Sequence, residues 1–141
     1  SPLNRGYSIA FASGTGAGQA DKLWSDQRTL AASGTEDLDL AGVLTDVFGA
    51  LVTFVKMKAI LVYAAAANTN NVNVTRPATN GVPWFLAAGD GVPVLPGGFN
   101  MWGAPGAGIT VTPATGDLIT FTNSGAGTSV TYDVVILGTS A

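Results

Sequence analysis

Carboxylates are the side chains of this sequence with the clearest potential for chemistry. Six of the nine acidic residues fall between Asp21 and Asp46, and Glu36, Asp37 and Asp39 are nearly contiguous. Clustered carboxylate oxygens suit calcium, and a pair of carboxylates can hydrolyse a glycosidic bond. The spacing is not that of an EF-hand, and Asp37 and Asp39 share one face of an alternating strand. We therefore expect a solvated strand face that discourages wrong strand pairing, with no metal site and no catalytic pair.

The composition excludes chemistry that depends on cysteine or histidine. The chain has no cysteine and no histidine, which excludes Cys/His zinc sites, Ser-His-Asp triads and cysteine nucleophiles. The segment Gly14-Thr15-Gly16-Ala17-Gly18 superficially resembles a phosphate-binding loop, but it lacks the Lys-Ser/Thr pair and a clear following helix. We expect a flexible connection there, and we expect neither enzyme activity nor a cofactor.

Aromatic side chains are densest between residues 84 and 102, where the sequence contains Trp84, Phe85, Phe99, Met101 and Trp102. Exposed on loops, such residues could bind the apolar faces of sugars. Alternatively they fill a core or a subunit interface, where tryptophan is enriched as an anchor. Because few polar partners lie nearby, we favour the core or interface interpretation.

Lys56 and Lys58 form the one notable pair of cations, and they lie two residues apart in a predicted strand. Two hypotheses stay open. The pair contacts carboxylates on a partner surface, or it belongs to an ordinary exposed strand face that resists edge aggregation.

The low charge content indicates assembly with other protein. Only 11% of residues are charged, against roughly 25% in typical soluble domains, and charge depletion characterises the centre of protein interfaces. The net charge is −3 and the six cations are scattered, which argues against a nucleic-acid partner. The longest apolar run, residues 59–67, is far shorter than the ~18 residues of a membrane span. We expect no membrane partner and no secretion signal.

Short strands separated by turn signals dominate the pattern along the chain. We expect an N-terminal arm over residues 1–20 and one β-sandwich domain over residues 21–141. The sequence predicts an all-β fold, an antiparallel β-sandwich or jelly roll of about eight short strands. One short helix is predicted at residues 41–48, because Leu44, Val47 and Phe48 follow helical spacing. In the strand over residues 52–63, we expect Val55 and the alternate residues to Tyr63 to face the core, with Phe54 and the two lysines on the other face.

Several stretches resemble small virion structural proteins of tailed bacteriophages. The resemblance is carried by residues 30–49 leading into 52–60, by Val94-Leu95-Pro96-Gly97-Gly98, by the Gly116-Asp117 turn, and by residues 130–138. It spans roughly residues 20–138 and rests on structural, low-complexity motifs, so it carries no catalytic residues. The resemblance implies a structural component of the phage particle, in particular a decoration or cement protein that ties coat subunits together.

The resemblance also implies partners and a location. We expect the major capsid protein or other virion proteins as partners, self-association with a trimer as the first guess, synthesis in the host cytoplasm, and a position on the phage head. The alternatives are a tail, connector or fibre-associated virion protein, and a carbohydrate-binding module that uses Trp84 and Trp102. The residues expected at interfaces are Tyr7, Ile9, Phe11, Lys56, Lys58, Trp84, Phe85, Phe99 and Trp102.

Overall fold

The fold is built entirely from short β-strands. The computed structural model describes residues 2–141, and within that range it contains no helix. The all-β prediction is therefore confirmed, although the strands are more numerous and shorter than the eight expected. They are β1 (Ala12–Ser13), β2 (Gln19–Ala20), β3 (Lys22–Leu30), β4 (Thr35–Asp39), β5 (Ala41–Thr45), β6 (Leu51–Thr53), β7 (Lys56–Ala64), β8 (Val72–Thr75), β9 (Gly91–Val94), β10 (Phe99–Gly103), β11 (Ile109–Thr110), β12 (Leu118–Asn123) and β13 (Val130–Thr139).

Two antiparallel sheets make up most of the molecule. The first sheet has the strand order β10-β7-β13-β3, and β11 also pairs with β7. The second sheet has the order β4-β12-β8-β9. The remaining strands form two small ribbons, the antiparallel hairpin β5-β6 and the parallel pair β1-β2. No helix within residues 2–141 has the length and apolar character needed to cross a membrane.

The two sheets share one core because their strands alternate between buried and more exposed residues. In β12 and β13 every second side chain is buried, as expected for strands with one apolar face. Phe121 of β12 and Tyr132 of β13 stack across the sheets. Their ring centroids are 4.6 Å apart at an interplanar angle of 12°, within the typical range of about 4.5–7 Å for aromatic pairs. The fold is therefore compatible with a β-sandwich.

A polar cluster closes the core at one edge. The Tyr132 hydroxyl donates a hydrogen bond to Glu36 of β4, and Arg28 Nε of β3 donates to the same carboxylate at 3.0 Å. Arg28 also forms an ion pair with Asp26, with 2.7 Å between Nη1 and Oδ2. Burial, reinforced by the bond to Glu36, raises the pKa of Tyr132 far above its ordinary value. The cluster thus joins strands of both sheets, and its hydrogen bonds satisfy polar groups at the edge of the core.

The prediction of a helix at residues 41–48 is wrong. These residues instead form the first strand and the turn of the β5-β6 hairpin. Asp46 Oδ1 accepts hydrogen bonds from the amides of Phe48 and Ala50 at 2.8 and 2.9 Å. Gly49 adopts φ = 81°, a conformation that a glycine reaches without strain. Side-chain bonds of this Asx type favour turns over helices, and the apparent helical spacing did not reflect burial.

The predicted core face of the strand over residues 52–63 is confirmed only at Met57, which is buried; Phe54, which was placed on the other face, is also buried, and Val55 is exposed. Leu137 pairs with Ala59 and Gly138 pairs with Met57, so Lys58 is an extra residue in β7 that has no partner in β13. Such a β-bulge shifts the alternation of side chains by one residue. Lys58, Ile60 and Val62 therefore point inward and are buried, whereas Ala59, Leu61 and Tyr63 point outward.

We predict that Gly138→Ala destabilises the fold by about 3 kcal/mol, because there is no room for a methyl group opposite the bulge. A Cβ at this position would lie 2.0 Å from the carbonyl oxygen of Lys56 and 2.7 Å from Cδ1 of Phe54. Gly106→Ala is the matched control, since nothing lies within 4 Å of its Cβ position, and it should change the free energy of unfolding by less than about 1 kcal/mol. Urea unfolding measures both, and equal effects would contradict the assignment.

We predict that Tyr132→Phe lowers the free energy of unfolding by about 1–2 kcal/mol at neutral pH, because Glu36 loses a hydrogen-bond donor. The pKa of Tyr132 is raised in the folded state, so its stabilising contribution is complete below about pH 10 and is lost as the pH rises above that value. The difference between the two proteins should therefore shrink by up to about 1.4 kcal/mol per pH unit above pH 10. Urea unfolding at pH 8, 10 and 11 measures it, Tyr63→Phe is the control, and a constant difference would refute the linkage.

Candidate functional site

The outer face of the first sheet is the main candidate functional surface. It consists of the side chains that the bulge and the strand alternation direct away from the core. Cross-strand pairing places Met101 beside Leu61 and Leu61 beside Val135, and it continues from Leu137 to Leu23. We define the outer face by its apolar members, which are Leu23, Leu61, Tyr63, Phe99, Met101, Val135 and Leu137.

The outer face leaves large apolar side chains in water. Phe99 is 70% exposed and Met101 is 67% exposed, and both lie on β10 at the edge of the sheet. Leu23 is exposed at the opposite edge, on β3. Covering a fully exposed side chain of this size contributes about 1.5–3 kcal/mol, and contiguous exposed apolar surface marks sites of interaction with protein or other apolar partners. The geometry therefore favours binding through burial of apolar area.

The N-terminal arm lies over part of this face. Gly6 to Ile9 and Phe11 line one side of a cavity of about 800 Å³, and Met101, Trp102 and Leu137 line the other. The arm reaches the sheet at Gly103, where a Cβ would lie 3.0 Å from Cδ1 of Ile9. None of the backbone hydrogen bonds of the described chain involves residues 2–10. We call residues 2–11 the free arm; residue 1 of the predicted arm lies outside the described residues.

Residues 12–20, which we call the arm root, are held firmly. The short strands β1 and β2 pair within this segment, and Gly18 N donates to Pro105 O at 2.8 Å. Lys58 Nζ donates to Gly16 O at 2.5 Å, and Lys58 is only 1% exposed. The bulge in β7 thus supplies the side chain that fastens the root, while the free arm has no comparable attachment.

A second apolar projection is the tip of the β5-β6 hairpin. Val47 and Phe48 are 91% and 92% exposed, and the backbone around them is fixed by the two hydrogen bonds to Asp46. Sequence reasoning missed this feature because it assigned both residues to the buried face of a helix. The Asp46 to Gly49 spacing, which suits a tight turn, was the available signal.

The predicted aromatic cluster belongs mainly to the core. Trp84 is 9% exposed, and its ring centroid lies 4.5 Å from Phe85 and 6.2 Å from Trp102, the latter edge to face. Phe85 and Trp102 are partly buried against the same core. Within residues 2–141, the indole nitrogen of Trp84 finds no hydrogen-bond partner. These rings pack on one another, which leaves no broad aromatic platform at Trp84 for a sugar.

The other predicted interface residues separate into three groups by burial. Tyr7, Ile9 and Phe99 are exposed and lie on or over the outer face. Phe11 and Lys56 are partly buried. Lys58 is buried, so the two lysines do not form an exposed pair. Of the two, only Lys56 remains accessible to carboxylates on a partner.

The acidic residues considered for calcium are engaged with protein groups. Glu36 binds Arg28 and Tyr132, Asp37 accepts from the Thr120 hydroxyl at 2.6 Å, and Asp39 accepts from the amide of Ala41 at 2.8 Å. Across residues 2–141, no group of three or more acidic side chains converges on a point that could hold a metal ion.

Comparisons with known proteins add no identification. No protein-family model matches the chain, and no curated protein sequence matches it. The functional argument therefore rests on the sequence and on the surfaces described above.

We predict that Lys58→Met loosens the arm root without unfolding the domain. Methionine keeps the buried apolar stem, but it cannot donate to Gly16 O, and the loss of one hydrogen bond of this kind costs about 0.5–3 kcal/mol, less than the stability of a typical domain. Amide hydrogen exchange of residues 12–20 should accelerate about tenfold, with the exchange of β13 unchanged. Lys56→Met is the control, and unchanged protection of the root in Lys58→Met would show that the lysine does not hold it.

Proposed function

We propose that this protein is a structural component of a tailed-phage particle, a capsid decoration or cement protein that self-associates and stabilises the coat lattice. The major capsid protein is the proposed partner, the head surface the proposed location and the host cytoplasm the site of synthesis. A trimer is the proposed oligomer, and a jelly-roll-like arrangement of the two sheets is the proposed topology. The observation that carries the proposal is the exposed apolar outer face of the first sheet.

Self-association is supported by the chemistry of that face. A sheet is a rigid platform, so its side chains lose little conformational freedom on binding, and such pre-organisation favours association. Phe99 and Met101 stand next to one another on the same face of β10, and the neighbouring strand adds Leu61 and Tyr63. Aromatic residues and methionine are enriched where proteins meet. The face therefore has the composition of an interface rather than of a solvated surface.

Attachment to a coat lattice is supported by the remaining apolar projection and by the low charge. The hairpin tip at Val47 and Phe48 is separate in sequence from the outer face, so a protein that uses one surface for its own copies retains another for a different partner. With 11% charged residues, binding would depend mainly on apolar burial, which salt does not screen. A cement protein has to join several subunits at once, and two separate apolar surfaces meet that requirement.

The alternatives differ in how well the surfaces support them. A tail, connector or fibre-associated position would use the same assembly chemistry and differs only in the partner. The carbohydrate-binding alternative depended on Trp84 and Trp102, and the burial of Trp84 against Trp102 weighs against it.

We predict that the purified protein forms a closed oligomer, with a trimer as the expected mass, and that the double substitution Phe99→Ser and Met101→Ser shifts it to monomer. Removing two exposed apolar side chains from the interface should weaken association at least a hundredfold, since each contributes about 1.5–3 kcal/mol when buried. Light scattering on a sizing column measures the mass. Leu86→Ser is the control, because Leu86 is fully exposed and lies in a loop that is not part of the first sheet.

The capsid role is tested separately by sedimenting the protein with shells assembled from the major capsid protein of the same phage genome. Co-sedimentation together with a raised melting temperature of the shells is the expected result. A protein that stays monomeric at about 1 mM and fails to co-sediment would overturn the proposal. Binding to tail assemblies instead of shells would favour the tail alternative.

A further inference from the structure

We infer that the free arm is exchanged between copies: residues 2–11 of one copy bind the outer face of a neighbouring copy instead of their own. This inference rests on the self-association in the proposed function and names the segment that performs it. The occupant of the site is thus a second copy of this chain.

The free arm has the pattern of a strand that lacks a partner. From residue 6 to residue 11 the chain alternates, with Tyr7, Ile9 and Phe11 apolar and residues 6, 8 and 10 small or polar; Leu3 adds an apolar side chain nearer the N-terminus, and Arg5 interrupts the apolar face between them. An alternation of this kind produces one apolar face when the chain is extended. Yet Leu3 and Tyr7 are 79% and 78% exposed, and within the described residues the backbone of residues 2–10 forms no hydrogen bond. In this position most of the apolar surface of the arm remains in water, although Phe11 is partly buried.

The fit between the arm and its own sheet is loose. Ile9 reaches the sheet at Gly103, but a space of about 800 Å³ remains between the arm and the sheet, lined by Tyr7, Met101 and Leu137 among others, and side chains that face such a space lose part of their contact energy. Because the root at residues 12–20 is fastened to the same copy, the arm meets its own sheet from one fixed starting point. The same face on a rotated copy is free of that constraint.

Exchange requires no unfolding. The root stays fastened by the hydrogen bond of Lys58 to Gly16 and by the β1-β2 pairing, and only residues 2–11 move. Extended, these residues reach about 33 Å, which exceeds the roughly 15–20 Å width of a four-stranded sheet. When every copy gives its arm and receives another, the contacts close symmetrically, as in most stable homo-oligomers.

Disulfide trapping tests the exchange. Because the sequence contains no native cysteine, only the introduced cysteines can form cross-links. Ile9 and Gly103 are the chosen positions, because the Ile9 side chain reaches to 3.0 Å from the Cβ site of Gly103. Full-length Ile9→Cys and Gly103→Cys proteins, distinguished by a mass tag, are mixed at a concentration where wild type is oligomeric and are then oxidised. We expect at least ten times more cross-linked heterodimer than in a control mixture of Ile9→Cys with Leu86→Cys.

The double variant Ile9→Cys and Gly103→Cys separates the possible results. Covalent dimers and higher multimers on non-reducing electrophoresis support exchange. Cross-linked monomers alone, with wild type oligomeric by light scattering, overturn the exchange and leave the proposed self-association intact. Cross-linked monomers together with a monomeric wild type overturn both. A heterodimer yield equal to the Leu86→Cys control also overturns the exchange.

Discussion

The bulge at Lys58, opposite Gly138, is the constraint on which the surfaces of this protein depend. One residue added to β7 reverses the alternation of the side chains that follow it. Ile60 and Val62 enter the core as a result, and Leu61 and Tyr63 become part of the outer face. The same residue directs a lysine inward to fasten the arm root. A core, an exposed apolar face and the origin of a free arm all follow from a single irregularity in pairing.

Two of the cationic side chains, Arg28 and Lys58, bind other groups of the same chain. Arg28 is bound to Asp26 and Glu36, and Lys58 is buried against a backbone carbonyl. On the outer side of the first sheet, Gln27 donates to Asp133 at 2.9 Å, which places a polar pair beside the apolar residues rather than among them. This distribution, with an apolar centre next to polar neighbours, is the usual anatomy of a protein interface.

The sequence was informative where local patterns and tertiary packing agree. Residues 130–137 alternate in the way that is typical of a strand, and β13 covers Val130–Thr139; the turn at Gly116-Asp117 before β12 and the all-β class were likewise predictable. It failed where a long-range contact decides the outcome. Which side chains of β7 point to the core depends on the pairing with Gly138, about eighty residues away. The turn at Asp46 depends on side-chain hydrogen bonds, which leave no periodic pattern of apolar residues in the sequence. Residue type alone also could not distinguish buried Trp84 from exposed Phe99, because cores and interfaces draw on the same amino acids.

The position of β13 has a consequence for synthesis of the chain. This strand is the last of the thirteen, yet it lies in the middle of the first sheet, between β7 and β3. Until residue 139 has emerged from the ribosome, β3 and β7 have no common neighbour, and their apolar residues cannot be enclosed. The pairing of β10 and β11 with β7 can form earlier, but β3 has no strand partner in this sheet until β13 is made, and an unpaired strand of this kind is prone to aggregation and is a target for chaperones.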